Sequence, residues 1–115
     1  MSTKFKGKII TAGYEWTIQL NFADSAITFP ANATFVSQVR RDPNADDVIA
    51  TLTTANQGVV RVDEKTLNLR ISGEMSANWP DRTAYLDVVR TDTTPDQHLG
   101  FQLRVPVRRA ITRGI

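Results

Sequence analysis

Basic side chains dominate the residues that could do chemistry. Lys4, Lys6 and Lys8 recur at every second position near the start of the chain. Arg104 and Arg108 recur near its end, with Arg109 and Arg113 continuing past them. In a strand such spacing puts each set on one face, because successive residues point to opposite sides of the sheet. If the two ends pair or lie close, the sets merge into one basic patch. Such a patch can neutralise phosphates, protect an edge strand from unwanted pairing, or form a salt-bridged subunit contact. The whole chain leans the same way only slightly. Its 14 Lys and Arg against 12 Asp and Glu give a net charge of +2, and its isoelectric point of about 9.3 is a weak argument for an acidic partner.

Other chemistry lacks its parts. The single histidine, His98, follows a turn at the start of the last strand, and the sequence supplies no base partner for it. Asp42, Asp46 and Asp47 could offer oxygens to a hard cation, but they lack the spacing and the closing Glu of a calcium loop, so a solvated turn is the expectation. No cysteine is present, which excludes disulfides, thiolate metal sites and a thiol nucleophile. The six glycines are scattered singly, as bends or bulges are, and form no phosphate loop. No Ser/His/Asp arrangement surrounds the serines. Asn32-Ala33-Thr34 matches a glycosylation sequon without a secretory signal to give it meaning. The expectation is therefore a non-enzyme that needs no metal, cofactor or small-molecule substrate.

The elements that must position these residues read as strands. Trp16, Ile18, Leu20 and Phe22 alternate with polar residues, and so do Ala33, Phe35 and Val39. Leu67, Leu69 and Ile71 alternate likewise, as do Leu86 and Val88 around Asp87. The longest series is Leu99, Phe101, Leu103, Val105 and Val107, with Gln102, Arg104 and Arg108 on its other face. Val48 to Thr53 and Val59 to Val62 are weaker, β-branched segments. Turn formers separate these runs: Ala23-Asp24-Ser25, the polar loop Arg41 to Asp47, the tight link Ala55-Asn56-Gln57-Gly58, and Thr91 to Asp96. Their spacing of roughly 8 to 12 residues is the rhythm of sandwiches and barrels. Only the stretch near 75–79 suggests a short helical turn, with Ser76 as its cap and Pro80 ending it. Trp16, Phe22, Phe35 and Phe101 have the apolar parity of their strands. They read as core rather than as a stacking platform, which lowers a nucleic-acid reading.

A chain of 115 residues supports one hydrophobic core, so residues 1–115 read as a single domain. The N-terminus is charged and followed only by Ile9-Ile10, too short for a signal-peptide core, and no apolar run is long enough for a membrane helix. The sequence thus predicts a protein made in a cytoplasm, or carried in an assembly built there, with no membrane contact.

The order of these features resembles a family. Gly13-Tyr14-Glu15-Trp16 opens a strand ending in Phe22, and the segment to Arg41 is of Ala-x-Phe-x-x-x-Val-Arg type. Val48 to Thr54, Asn56 to Val60, Leu67 to Ser72, Met75 to Pro80, Ala84 to Arg90 and finally Ile111-Thr112-Arg113 follow. This succession resembles the small immunoglobulin-like sandwich domains of tailed-bacteriophage virion proteins, including the N-terminal attachment domain of upper baseplate proteins, over nearly the whole chain. The resemblance implies an all-β, immunoglobulin-like antiparallel sandwich of about seven to nine strands. It also implies a non-catalytic structural role in a virion, at the tail, baseplate or fibre attachment, with other virion subunits as partners and many copies in the assembly. In longer relatives the terminal Thr-Arg leads into a fibre region, whereas here Gly114-Ile115 follows, as expected of an adaptor or cementing subunit. Decoration of the capsid exterior is the close alternative, and a small nucleic-acid-binding domain is the alternative of another class. Interface candidates are Lys4, Lys6, Lys8, Arg104, Arg108 and Arg109 at the basic ends, and Asp42, Asp46 and Asp47 in the exposed loop.

Overall fold

The structure, a computed structural model, describes residues 3–6 through their backbone and residues 9–22, 27–79 and 82–111 in full. Its strands are β1 (Thr3–Lys6), β2 (Ile10–Ala12), β3 (Trp16–Asn21), β4 (Phe35–Arg40), β5 (Ala50–Thr53), β6 (Val59–Asp63), β7 (Thr66–Ile71), β8 (Thr83–Leu86), β9 (Val89–Arg90), β10 (Gln97–His98) and β11 (Phe101–Arg109). One helical turn, α1 (Gly73–Ser76), joins β7 to β8. A three-stranded sheet has the order β3-β7-β6. In the larger sheet β5 pairs with β4, β4 with β8 and β9, β8 with β11, β9 with β10, and β11 with both β1 and β2. The segments β8 and β9 continue one line, since Arg40↔Tyr85 and Phe35↔Arg90 belong to one register along β4. The chain thus passes repeatedly between two facing sheets, and this order of neighbours is an immunoglobulin-like β-sandwich. No described helix is long and apolar enough to cross a membrane.

Alternation explains where the core sits. Leu20, Val59, Leu67, Leu69 and Ile71 of the small sheet are buried, as are Phe35, Val39, Leu52, Leu86, Leu103 and Val105 of the large one. Each such side chain removed from water contributes roughly 1.5–3 kcal/mol. Ser37 interrupts the series. It sits on the inward parity of β4 between Phe35 and Val39, fully buried, and its hydroxyl has no hydrogen-bond partner among the described residues. A buried unpaired hydroxyl costs about 1–3 kcal/mol. Ser37→Ala is therefore expected to raise the urea unfolding midpoint by an amount equal to about 1 kcal/mol. A lower midpoint would show that the hydroxyl has a partner.

Three local features differ from the sequence-based expectation. First, pairing is not antiparallel throughout, because β1 and β2 run parallel to β11. Second, the helical turn occupies Gly73–Ser76 rather than 75–79, and its cap is Ser72. Ser72 is extended, and its hydroxyl accepts from Met75 N–H at 3.2 Å. Ser76 is buried instead, and its Oγ accepts from Gly13 N–H at 3.1 Å, tying α1 to the end of β2. Third, the last strand is interrupted. His98 pairs with Val89 and Leu103 with Leu86, so the step from 98 to 103 on one side spans only 86 to 89 on the other. Gly100, at φ 82°, takes the left-handed conformation of this bulge. Both sides of it still bury their apolar residues, Val88 and Leu99.

Candidate functional site

The structure brings the two basic ends together. Residues Lys4 and Lys6 of β1 register with Gln102 and Arg104 of β11. Arg104 pairs on its other side with Tyr85 of β8, and Tyr85 with Arg40 of β4. One lateral row across neighbouring strands therefore reads Lys6, Arg104, Tyr85, Arg40. Adjacent strands lie about 4.8 Å apart, so these positions are close neighbours, and Arg104, Tyr85 and Arg40 share the outward face of the large sheet. Further along β11 the exposed residues Pro106 and Arg108 extend that face. Neither Arg104 nor Arg108 has an ion-pair partner among the described residues.

The remaining basic candidates lie elsewhere. Thr3↔Phe101 and Ile10↔Val107 show seven steps on the N-terminal line against six on β11, so parity reverses between Lys6 and Ile10. Lys8 falls in that interval and lies outside the described residues, as does Arg113. Arg109 does not continue the face of Arg104 and Arg108. It registers with Ala12 and, together with Arg108, borders a groove at the end of the β2–β11 pair.

Arg40 is held rigidly without losing its charge. Its Nη1 donates to the carbonyls of Ala45 at 2.9 Å and Asp46 at 2.7 Å, and its Nη2 donates to Gln38 Oε1 at 2.8 Å. All three acceptors are neutral, and Arg40 makes no ion pair among the described residues. The same bonds fold the β4–β5 loop back on the sheet. Asp42 Oδ1 accepts from Asn44 N–H at 2.9 Å, and Asp42 O from Ala45 N–H at 3.0 Å. Asp42, Asp46 and Asp47 are exposed, and no group of three or more acidic or histidine side chains among the described residues is placed to hold a metal. Beside this loop lies a hollow of about 260 Å³, lined by Gln38, Arg40, Pro43, Tyr85, Asp87 and Gln102.

Sequence reasoning missed Tyr85 and Arg40. A signal was available in each case. Tyr85 has the parity opposite to Ala84 and Leu86, which are buried, and Arg40 the parity opposite to Val39. The pairing that sets both beside Arg104 is long-range, so the row itself was not legible.

A second surface is apolar. Ile9, Tyr14 and Ile111 are exposed by 53%, 43% and 97%. They line a shallow groove of about 620 Å³ that also includes Trp16, Arg108 and Arg109. It lies at the end of the parallel β2–β11 pair. Scattered exposed apolar residues are ordinary, but a contiguous strip of them marks a contact site.

His98 serves the bulge. Its Nδ1 accepts from Gly100 N–H at 2.9 Å, so Nε2 carries the proton that goes to Asp87 Oδ2 at 2.8 Å. Both ring nitrogens are thereby used in holding β10 to the line of β8. On β9, the strand paired with β10, Arg90 Nε and Nη2 donate to the two oxygens of Asp92 at 2.8 and 2.9 Å. These bonds from Arg90 are the main reason the Asp92 carboxyl lies at about 2 rather than 3.8, and Thr34 N–H adds to the effect. The folded value is depressed, so this stabilisation is present above the usual carboxylate value and lost as pH falls through about 2. Acid unfolding between those values is expected to be less steep in Asp92→Asn. An unchanged slope would show that Asp92 does not couple folding to pH.

Fold and surface define the class: a small immunoglobulin-like β-sandwich with a basic outer sheet face and an apolar groove at its terminal-strand edge. No protein-family model and no curated protein matches the chain.

Proposed function

We propose that the protein is a non-catalytic structural component of a tailed-phage or prophage virion, an adaptor at the tail, baseplate or fibre attachment that works by contact with other virion subunits. The observation that supports this most is the apolar groove of Ile9, Tyr14 and Ile111, flanked by Arg108 at the edge where both terminal strands run. Exposed apolar surface rimmed by charge suits burial against a neighbouring protein. Repetition of a modest contact in a symmetric particle makes it strong by multivalency. The sequence resemblance to phage sandwich domains points the same way.

Location in the particle tests the proposal. Purified particles carrying the chain should show its density, or a gold-labelled tag on it, at the tail or baseplate. Tyr14→Asp should reduce incorporation while leaving the isolated domain folded. Density confined to capsomers would replace the adaptor with a decoration protein. Absence of the chain from purified particles would overturn a virion role altogether.

A further inference from the structure

The basic row on the large sheet has a composition that simple edge protection does not require. Lysine or arginine on an outer strand is enough to discourage edge pairing. Here the positive positions cross the sheet to its interior strands, where pairing is already complete. Arg40 is on β4, with neighbours on both sides, has outward parity, and is fixed by neutral acceptors. Tyr85 sits between Arg40 and Arg104. It is half-buried and has outward parity, unlike the core aromatics Trp16, Phe22, Phe35 and Phe101. Next to it, the hollow presents the amide of Gln102, which can both donate and accept hydrogen bonds, and that of Gln38, whose Oε1 already accepts from Arg40 and whose Nε2 can donate. The acid in this hollow is Asp87, and His98 already engages it.

We propose that this face binds single-stranded nucleic acid, with Arg104 and Arg108 meeting phosphates and a base entering the hollow against Tyr85, within reach of Gln38 and Gln102. Charge complementarity selects a polyanion. Among polyanions, the aromatic ring and amides beside the cations fit an unstacked base, whose π-face and edge are both accessible. A duplex hides its base faces, and an acidic protein segment has no use for the ring. Binding is therefore governed by two separable contributions, a salt-dependent one from the cations and a stacking one from Tyr85.

The experiment is fluorescence anisotropy of the intact chain with a labelled oligothymidylate of about 15 nucleotides. Duplex DNA and polyglutamate of similar charge serve as competitors. The expected result is binding at low salt that weakens steadily as salt rises, with the single strand competing best. Arg104→Glu with Arg108→Glu, both exposed, should lower affinity for every polyanion by at least about tenfold. Tyr85→Leu should lower affinity for the single strand by about tenfold while leaving residual polyglutamate binding unchanged. Should Tyr85→Leu fail to fold, Gln102→Glu at the exposed rim should weaken single-strand binding beyond its effect on polyglutamate. No binding at low salt would overturn the proposal. So would equal binding of all three polyanions with no selective loss in either the Tyr85 or the Gln102 variant.

Discussion

Phe29→Ala is expected to lower folding stability by about 3–5 kcal/mol, a large share of the roughly 5–15 kcal/mol typical of a domain. Phe29 is completely buried although it belongs to no strand. Its ring meets Phe22 edge-on at 5.5 Å between centroids and Phe35 at 5.2 Å, and Phe22 in turn lies 5.7 Å from Phe101. The ring therefore bridges residues from both sheets at one end of the sandwich. Backbone bonds fix its position: Phe29 N–H donates to Glu64 O at 2.8 Å, and Arg61 Nε donates to Phe29 O at 3.0 Å. With the frame held so firmly, the site collapses little when the ring is removed, and the cavity adds to the lost burial. Urea unfolding should show a shifted midpoint with an unchanged slope, and Phe29→Leu should recover most of the loss. A shift of less than about 1 kcal/mol would mean that the cluster is loosely packed.

The second large effect is expected at Gly58. A Cβ there would lie 2.6 Å from Leu52 Cβ and 2.8 Å from both Leu52 Cα and Asn56 Oδ1. Leu52 is fully buried on β5 and cannot swing away. Asn56 is equally fixed: Oδ1 accepts from Thr53 N–H and Gly58 N–H, and Nδ2 donates to Thr51 O. Relief requires the link between the two sheets to move, so Gly58→Ala should cost about 1–3 kcal/mol. For a domain of this size that is roughly a 5–15 °C fall in melting temperature. The left-handed residue of this turn is Gln57, at φ 63°, so Gln57→Gly should be neutral or stabilising. The opposite signs are the test. A neutral Gly58→Ala would remove close approach as the reason for glycine.

These two residues show where sequence reading stops. Alternation identified Leu20, Phe35, Leu69 and the whole series from Leu99 to Val107 as inward, and all are buried. It did so because a strand fixes the direction of every side chain relative to its neighbours. Phe29 lies in a segment without such periodicity, so its burial has no local signature. Gly58 in a turn suggests conformational freedom, whereas its need for a small residue comes from Leu52 on another strand. Ser37 looks like an ordinary polar residue until its strand's parity is traced through Phe35 and Val39. The outward parity of Arg104 and Arg108 was legible for the same reason that the core was.

The sequence by itself determined an all-β sandwich, its main inward faces and the basic character of both ends, because these follow from period-two spacing and charge along short segments. Only the tertiary structure decided that the N-terminal strand runs parallel to β11 and that parity reverses between Lys6 and Ile10. It alone set Tyr85 between Arg104 and Arg40. Those relations depend on which strands become neighbours and in what register. Strand pairing is a non-local choice made by burial of both sheet faces together, and no single segment encodes it.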